Sequence, residues 1–170
     1  MEKPLFEIYQ VLQKLIGLHR QLLEAVRTEK NSLVDADLNA IQSITSVKQA
    51  LIESIFQAES DRLKLTGLLS VQWKKPYKEM TLPNMILEIQ ARDPKGAEQL
   101  RTAFNALTIL IQRILEQNQG NKSLIEKSLE HVHQMKRNIL EESAPRSNTY
   151  GQSGQRVSGH SGARLISREI

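Results

Sequence analysis

The stretch Glu130-His131-Val132-His133 holds the residues with the most potential for chemistry. A Glu-x-x-His step is part of what a helical bundle uses to hold a di-iron centre, but that site needs two such motifs and two further inward carboxylates. No second motif occurs in the sequence. His131 and His133 are two residues apart, so on a helix they point to different sides and cannot act as a metal-binding pair. Val132 falls on an apolar stripe, which turns both histidines away from it. His19 also falls on an apolar stripe. It could ligate or transfer a proton, and the simpler reading is a seam histidine that is hydrogen-bonded or reaches solvent. With no cysteine, neither a disulfide nor a thiolate metal site can form. The sequence has no glycine-rich phosphate loop, no nucleophile elbow and no His-Glu-x-x-His pair. No metal, cofactor or catalytic residue is expected, and nothing suggests the convergent polar pocket of an enzyme.

The histidines lie in the longest periodic stretch, Asp93 to Glu142. Phe104, Leu107, Ile111, Ile114, Asn118, Asn121, Ile125, Ser128, Val132, Met135 and Ile139 follow steps of three and four, which predicts one long helix. Asp93 is a suitable N-cap and Pro94 suits the first turn. At about 1.5 Å per residue the helix would be roughly 75 Å long, too long to bury its stripe without neighbours. Its first half, Leu100 to Leu115, is densely apolar and is expected to pack on other helices. Asn118 and Asn121 take stripe positions as a polar seam that sets register, and Gly120 weakens or bends the helix there. Beyond them Ile125, Leu129, Val132, Met135, Ile139 and Leu140 form an apolar surface that suits docking of an amphipathic segment, unless the N-terminal helix covers it.

Two more helices precede it. Leu5, Ile8, Leu12, Leu15, His19, Leu22, Val26 and Leu33 share one stripe, with Gly17 an expected weak point unless a neighbour packs closely. Asp35 or Asp37 can cap the next helix, whose stripe is Ile41, Ile44, Lys48, Leu51, Ile55, Ala58, Arg62, Leu65 and Leu69. The short link predicts an antiparallel hairpin. Lys48 and Arg62 can lay their stems along the seam while their charges reach water. From Gly67 to Pro83 the pattern breaks and a connector is expected. In it Trp73 and Tyr77 are either an exposed recognition pair or a cap on the hairpin end. A short helix follows through Met85, Ile86, Leu87 and Ile89. The fold class is therefore all-α: a helical hairpin, a short connector helix and one long C-terminal helix in a coiled-coil-like bundle, ending in a disordered tail.

Composition agrees with narrow helix seams, since aromatics are only 4% of the 170 residues. Residues 1–142 are expected to form one helical domain and 143–170 a flexible tail rich in Gly, Ser and Arg. Arg146, Arg156, Arg164 and Arg168 against Glu169 place +3 of the chain's +4 charge in that tail. The body mixes charges of both signs, which argues against nucleic acid as a partner. The last eight residues are amphipathic enough to order on a partner or against the body. They are too short to anchor in a membrane alone. The start at Met1-Glu2-Lys3-Pro4 has no secretion-signal pattern, and no run approaches a membrane span, so a cytoplasmic protein without stable membrane insertion is expected.

Three segments carry a resemblance. They are Lys48-x-x-Leu51 through Glu59-x-x-Arg62 on the hairpin, Gln117-Asn118-x-x-Asn121-Lys122-x-Leu124-Ile125 in the long helix, and Tyr150-Gly151-x-x-Gly154 in the tail. In this order the chain resembles the FlgN family of flagellar export chaperones, while Trp73 to Met80 follows no assignable pattern. The resemblance implies an ATP-independent cytoplasmic chaperone with no enzymatic activity. It would bind the C-terminal assembly segments of the hook–filament junction proteins, prevent their premature polymerisation and deliver them to the flagellar type III export apparatus. The client contacts would be Ile125, Leu129, Val132, Met135, Ile139, Leu140 and Tyr150. The alternative is a structural coiled-coil adaptor that self-assembles through the same stripe. Oligomeric state, preferred client and contacts with the export ATPase or gate are left open.

Overall fold

A computed structural model describes residues 2–143. Those residues form four α-helices and one 3₁₀ turn, with no strand among them. The helices are α1 (Lys3–Val34), α2 (Leu38–Trp73), α3 (Leu82–Gln90) and α4 (Pro94–Ser143), and the 3₁₀ turn is Tyr77–Glu79. The chain divides into two units, residues 1–129 and 130–170. The boundary falls within α4.

In the first unit, α1 is the central strut. Of the stripe expected from spacing, Leu5, Ile8, Leu12, Leu15, Leu22 and Val26 are buried, and His19 and Leu33 are half-buried. Pro4 sits in the first turn of α1, where it removes no helical hydrogen bond. Asp37 caps α2 by accepting from the Ala40 N–H at 3.0 Å, and the tight link makes α1 and α2 a hairpin, with Ala36 in the left-handed region. Met85, Ile86 and Ile89 of α3 and Ala97, Leu100 and Ala103 of α4 join Leu5, Ile8, Leu12 and Leu69 in one core. Further along, Ile114 of α4 joins Leu22, Leu23 and Val26.

Two expectations need correction. The helix does not yield at Gly67: α2 continues through Ser70 to Trp73. A single glycine costs about 1 kcal/mol, which burial of Thr66 and Leu69 on either side outweighs. The break comes at Lys74, which adopts a left-handed conformation (φ 53°), because Pro76 disfavours helical geometry at Lys75. The end is closed by the Lys75 N–H bonding to the Ser70 carbonyl at 3.1 Å and the Ser70 hydroxyl donating to the Lys75 carbonyl at 2.7 Å. The first half of α4 is also only partly covered: Leu100 and Ala103 are buried, whereas Ile111 and Leu115 are exposed.

Trp73 and Tyr77 part company. The Trp73 indole N–H donates to Glu2 Oε2 at 3.1 Å, and the Arg92 guanidinium lies 5.9 Å from its ring centre. Trp73 thus joins the α2 end to the start of α1 and the end of α3. Tyr77 is exposed. No break occurs at Gly120, and α4 is continuous across it.

In the second unit, the described residues 130–143 are helical, and every side chain from Glu130 to Leu140 is exposed.

Candidate functional site

Placement of α4 depends on a polar cluster that joins three helices. Asn121 is only 2% exposed. Its Nδ2 donates to the Val26 carbonyl of α1 at 2.9 Å and to Glu29 Oε2 at 2.9 Å, while its Oδ1 accepts from Gln117 at 3.3 Å. Glu29 in turn accepts from Lys48 of α2 at 2.8 Å through both carboxylate oxygens. The Glu29 and Lys48 side chains are 14% and 20% exposed. An isolated charge there would be costly, and the cluster gives each partner a counter-charge or a donor. Asn118, in contrast, is exposed, so the buried polar position is Asn121 alone. Glu29 lies off the apolar stripe of α1 and was missed; a Lys at the α2 stripe position 48 was the available hint that a carboxylate faces it.

Ile125 and Leu129 of the first unit and Val132, Met135, Ile139 and Leu140 of the second are each 50 to 59% exposed. Six large apolar side chains on one helix therefore meet water. Tyr150 lies outside the described residues. His131 and His133 are exposed, and among the described residues no group of three or more His, Cys, Asp or Glu could hold a metal.

Sequence reasoning also missed a cleft of about 730 Å³ in the first unit. It is lined by the buried Leu12 and Leu15 of α1, by Ile55 and Leu63 of α2, by Phe104, Leu107 and Ile111 of α4, and by Tyr77 and Leu82. Its signal in the sequence was weak: Leu63 is outside the α2 stripe, and Ile111 read as core. Arg62 also lines it, donating to Glu59 at 2.9 and 2.6 Å, a hydrogen-bonded pairing that raises the arginine pKa further above its ordinary value despite partial burial.

His19 lines the cleft, its Nδ1–H donating to the Leu15 carbonyl at 2.7 Å. No described helix is long and apolar enough to cross a membrane.

Among the described residues, fold and surface define an all-helical protein with a row of exposed apolar side chains on α4 and a cleft in the first unit. The family model described as FlgN protein matches residues 1–158, and the chain belongs to the FlgN family. That family is one of flagellar export chaperones, not of enzymes. No curated protein and no solved structure matches the chain.

Proposed function

We propose that this protein is a cytoplasmic, ATP-independent chaperone for the hook–filament junction proteins of the flagellum. It binds their C-terminal assembly segments, keeps them unpolymerised and passes them to the type III export apparatus. The helical domain, residues 1–142, carries the binding surface, with Tyr150 and the rest of 143–170 closing over it or competing for it. The observation that supports this reading best is the row of exposed apolar residues Ile125, Leu129, Val132, Met135, Ile139 and Leu140. Segments that later pack into a helical junction are amphipathic. A helix-in-groove or helix-on-helix contact covers such a face reversibly, without a cofactor.

Titration calorimetry of full-length protein with C-terminal peptides of junction proteins tests this. Truncation after Gln119 is unsuitable because it removes Asn121, which ties α4 to α1. Val132→Asp and Met135→Asp are preferable, since both positions are exposed and the fold should survive. Each is expected to weaken binding roughly 30-fold, the effect of losing about 2 kcal/mol at an apolar contact. Unchanged affinity in folded variants refutes the site, and absence of binding by the wild type refutes the client assignment. A mass that rises with concentration and is reset by the same substitutions favours the self-assembling adaptor.

A further inference from the structure

In the cleft lined by α1, α2 and α4, three polar side chains spend their donors on their own helices. His19 Nδ1–H donates to the Leu15 carbonyl at 2.7 Å. Thr66 Oγ donates to the Arg62 carbonyl at 2.9 Å, and Thr108 Oγ to the Phe104 carbonyl at 2.9 Å. Each hydroxyl or ring donor is turned back onto its own helix, four residues earlier. Most of the lining is apolar, so apolar surface of an occupant would be accepted there.

Charge in the cleft is equally one-sided. Glu59 and Arg62 neutralise each other through a bidentate pair. Lys78, at the end marked by Tyr77 and Leu82, lines the cleft and has no hydrogen bond or ion pair among the described residues. The occupant that fits is apolar along one face and carries negative charge at one end.

We propose that this cleft is a second docking surface, for an amphipathic helix of a partner protein with apolar residues at i, i+3 or i+4, and i+7 and a carboxylate that meets Lys78. The apolar residues settle between Leu63 of α2 and Ile111 of α4, above Leu12 and Leu15. The cleft lies wholly within residues 1–129 and shares no residue with the α4 row assigned to the client.

The test uses full-length protein and a fluorescein-labelled synthetic helix of fourteen to sixteen residues, with Leu at those positions and Glu at the end facing Lys78, read by anisotropy. A second peptide carries Lys in place of Glu. The Glu peptide is expected to bind, and to bind roughly fivefold more weakly to Lys78→Glu, the scale of one partly exposed ion pair. The Lys peptide should show the reverse preference. Leu63→Asp and Ile111→Asp, both at exposed positions, should weaken the Glu peptide roughly 30-fold, with circular dichroism confirming the fold. Met135→Asp should leave it unchanged. The proposal is overturned if the two peptides show no opposite preference at position 78, or if Met135→Asp abolishes binding while the cleft substitutions do not. It is also overturned if light scattering finds a dimer that Leu63→Asp dissociates, because a second copy then fills the cleft. Failure of Val132→Asp to affect junction-protein peptides would refute the client site and leave this proposal standing.

Discussion

Replacing Asn121 by Ala should be among the most destabilising single changes on α4, although the position lies in one of its most polar stretches. The substitution removes two donated hydrogen bonds, to the Val26 carbonyl and to Glu29 Oε2. A hydrogen bond to a charged group contributes about 1.5–3 kcal/mol and one to a neutral group about 0.5–1.5 kcal/mol. Glu29 keeps Lys48 as its counter-charge and is 14% exposed, so water relieves part of the loss and about 2–3 kcal/mol is expected. With a urea slope of roughly 2 kcal/mol/M, the unfolding midpoint followed by circular dichroism should fall by about 1–1.5 M. Asn118→Ala is the control: it is exposed and should stay within about 0.5 kcal/mol of wild type. A double-mutant cycle pairing Asn121→Ala with Glu29→Gln should give a coupling above about 0.5 kcal/mol. If Asn121→Ala costs no more than Asn118→Ala, the three-helix polar cluster does not hold α4 and the reasoning fails.

Gly17→Ala and Gly120→Ala should each stabilise the protein by about 0.5–1 kcal/mol in the same urea assay, because a Cβ at either position meets nothing within 4 Å; a fall in the midpoint would reveal a close neighbour. Glu88 offers a pH test: the hydrogen bond and then the charge of Lys75, with a smaller effect of Arg92, hold its carboxyl below the usual range. A folded-state value that is lowered contributes stability above the ordinary carboxylate range and loses it as pH falls through the folded midpoint. Lys75→Gln should therefore raise the Glu88 midpoint in an NMR titration, and an unmoved midpoint excludes Lys75 as the cause. Trp73→Phe keeps the ring packing but loses the indole bond to Glu2; about 1 kcal/mol should be lost, and a further Glu2→Gln change should then cost less than it does in wild type.

The parts of the fold governed by local rules were legible in the sequence. Stripe spacing located the buried residues of α1, and Asp37, Asp93 and Pro94 marked helix starts, since capping and periodicity depend only on neighbours along the chain. The end of α2 was less legible, because a glycine's cost is local while the burial of Thr66 and Leu69 that outweighs it is tertiary. Asn118 and Asn121 look alike by spacing. Only the position of Glu29 and the Val26 carbonyl on another helix distinguishes them. For the proposed client site, the row on the second half of α4 was readable as apolar surface, and the structure leaves it exposed. The cleft was not, because an apolar residue such as Ile111 reads as core until the helix that might cover it is known to lie elsewhere.

The open surfaces follow from how the three long helices share their burial. Ten residues of α1 are buried, but only three of α2, so α2 and α4 flank α1 and leave between them the seam that a fourth long helix would close in a four-helix bundle. The nine-residue α3 covers only one end. Leu12 and Leu15 of that seam belong to the core, whereas Leu63 and Ile111 at its rim are exposed and contribute little to the fold. The fold itself is secured by the α1 core and the Asn121–Glu29–Lys48 cluster. If the two proposed surfaces bind partners, substitutions at the cleft rim and on the exposed row should change binding while leaving stability nearly intact, a separation that a purely structural coiled coil, stabilised by those same residues, would not show.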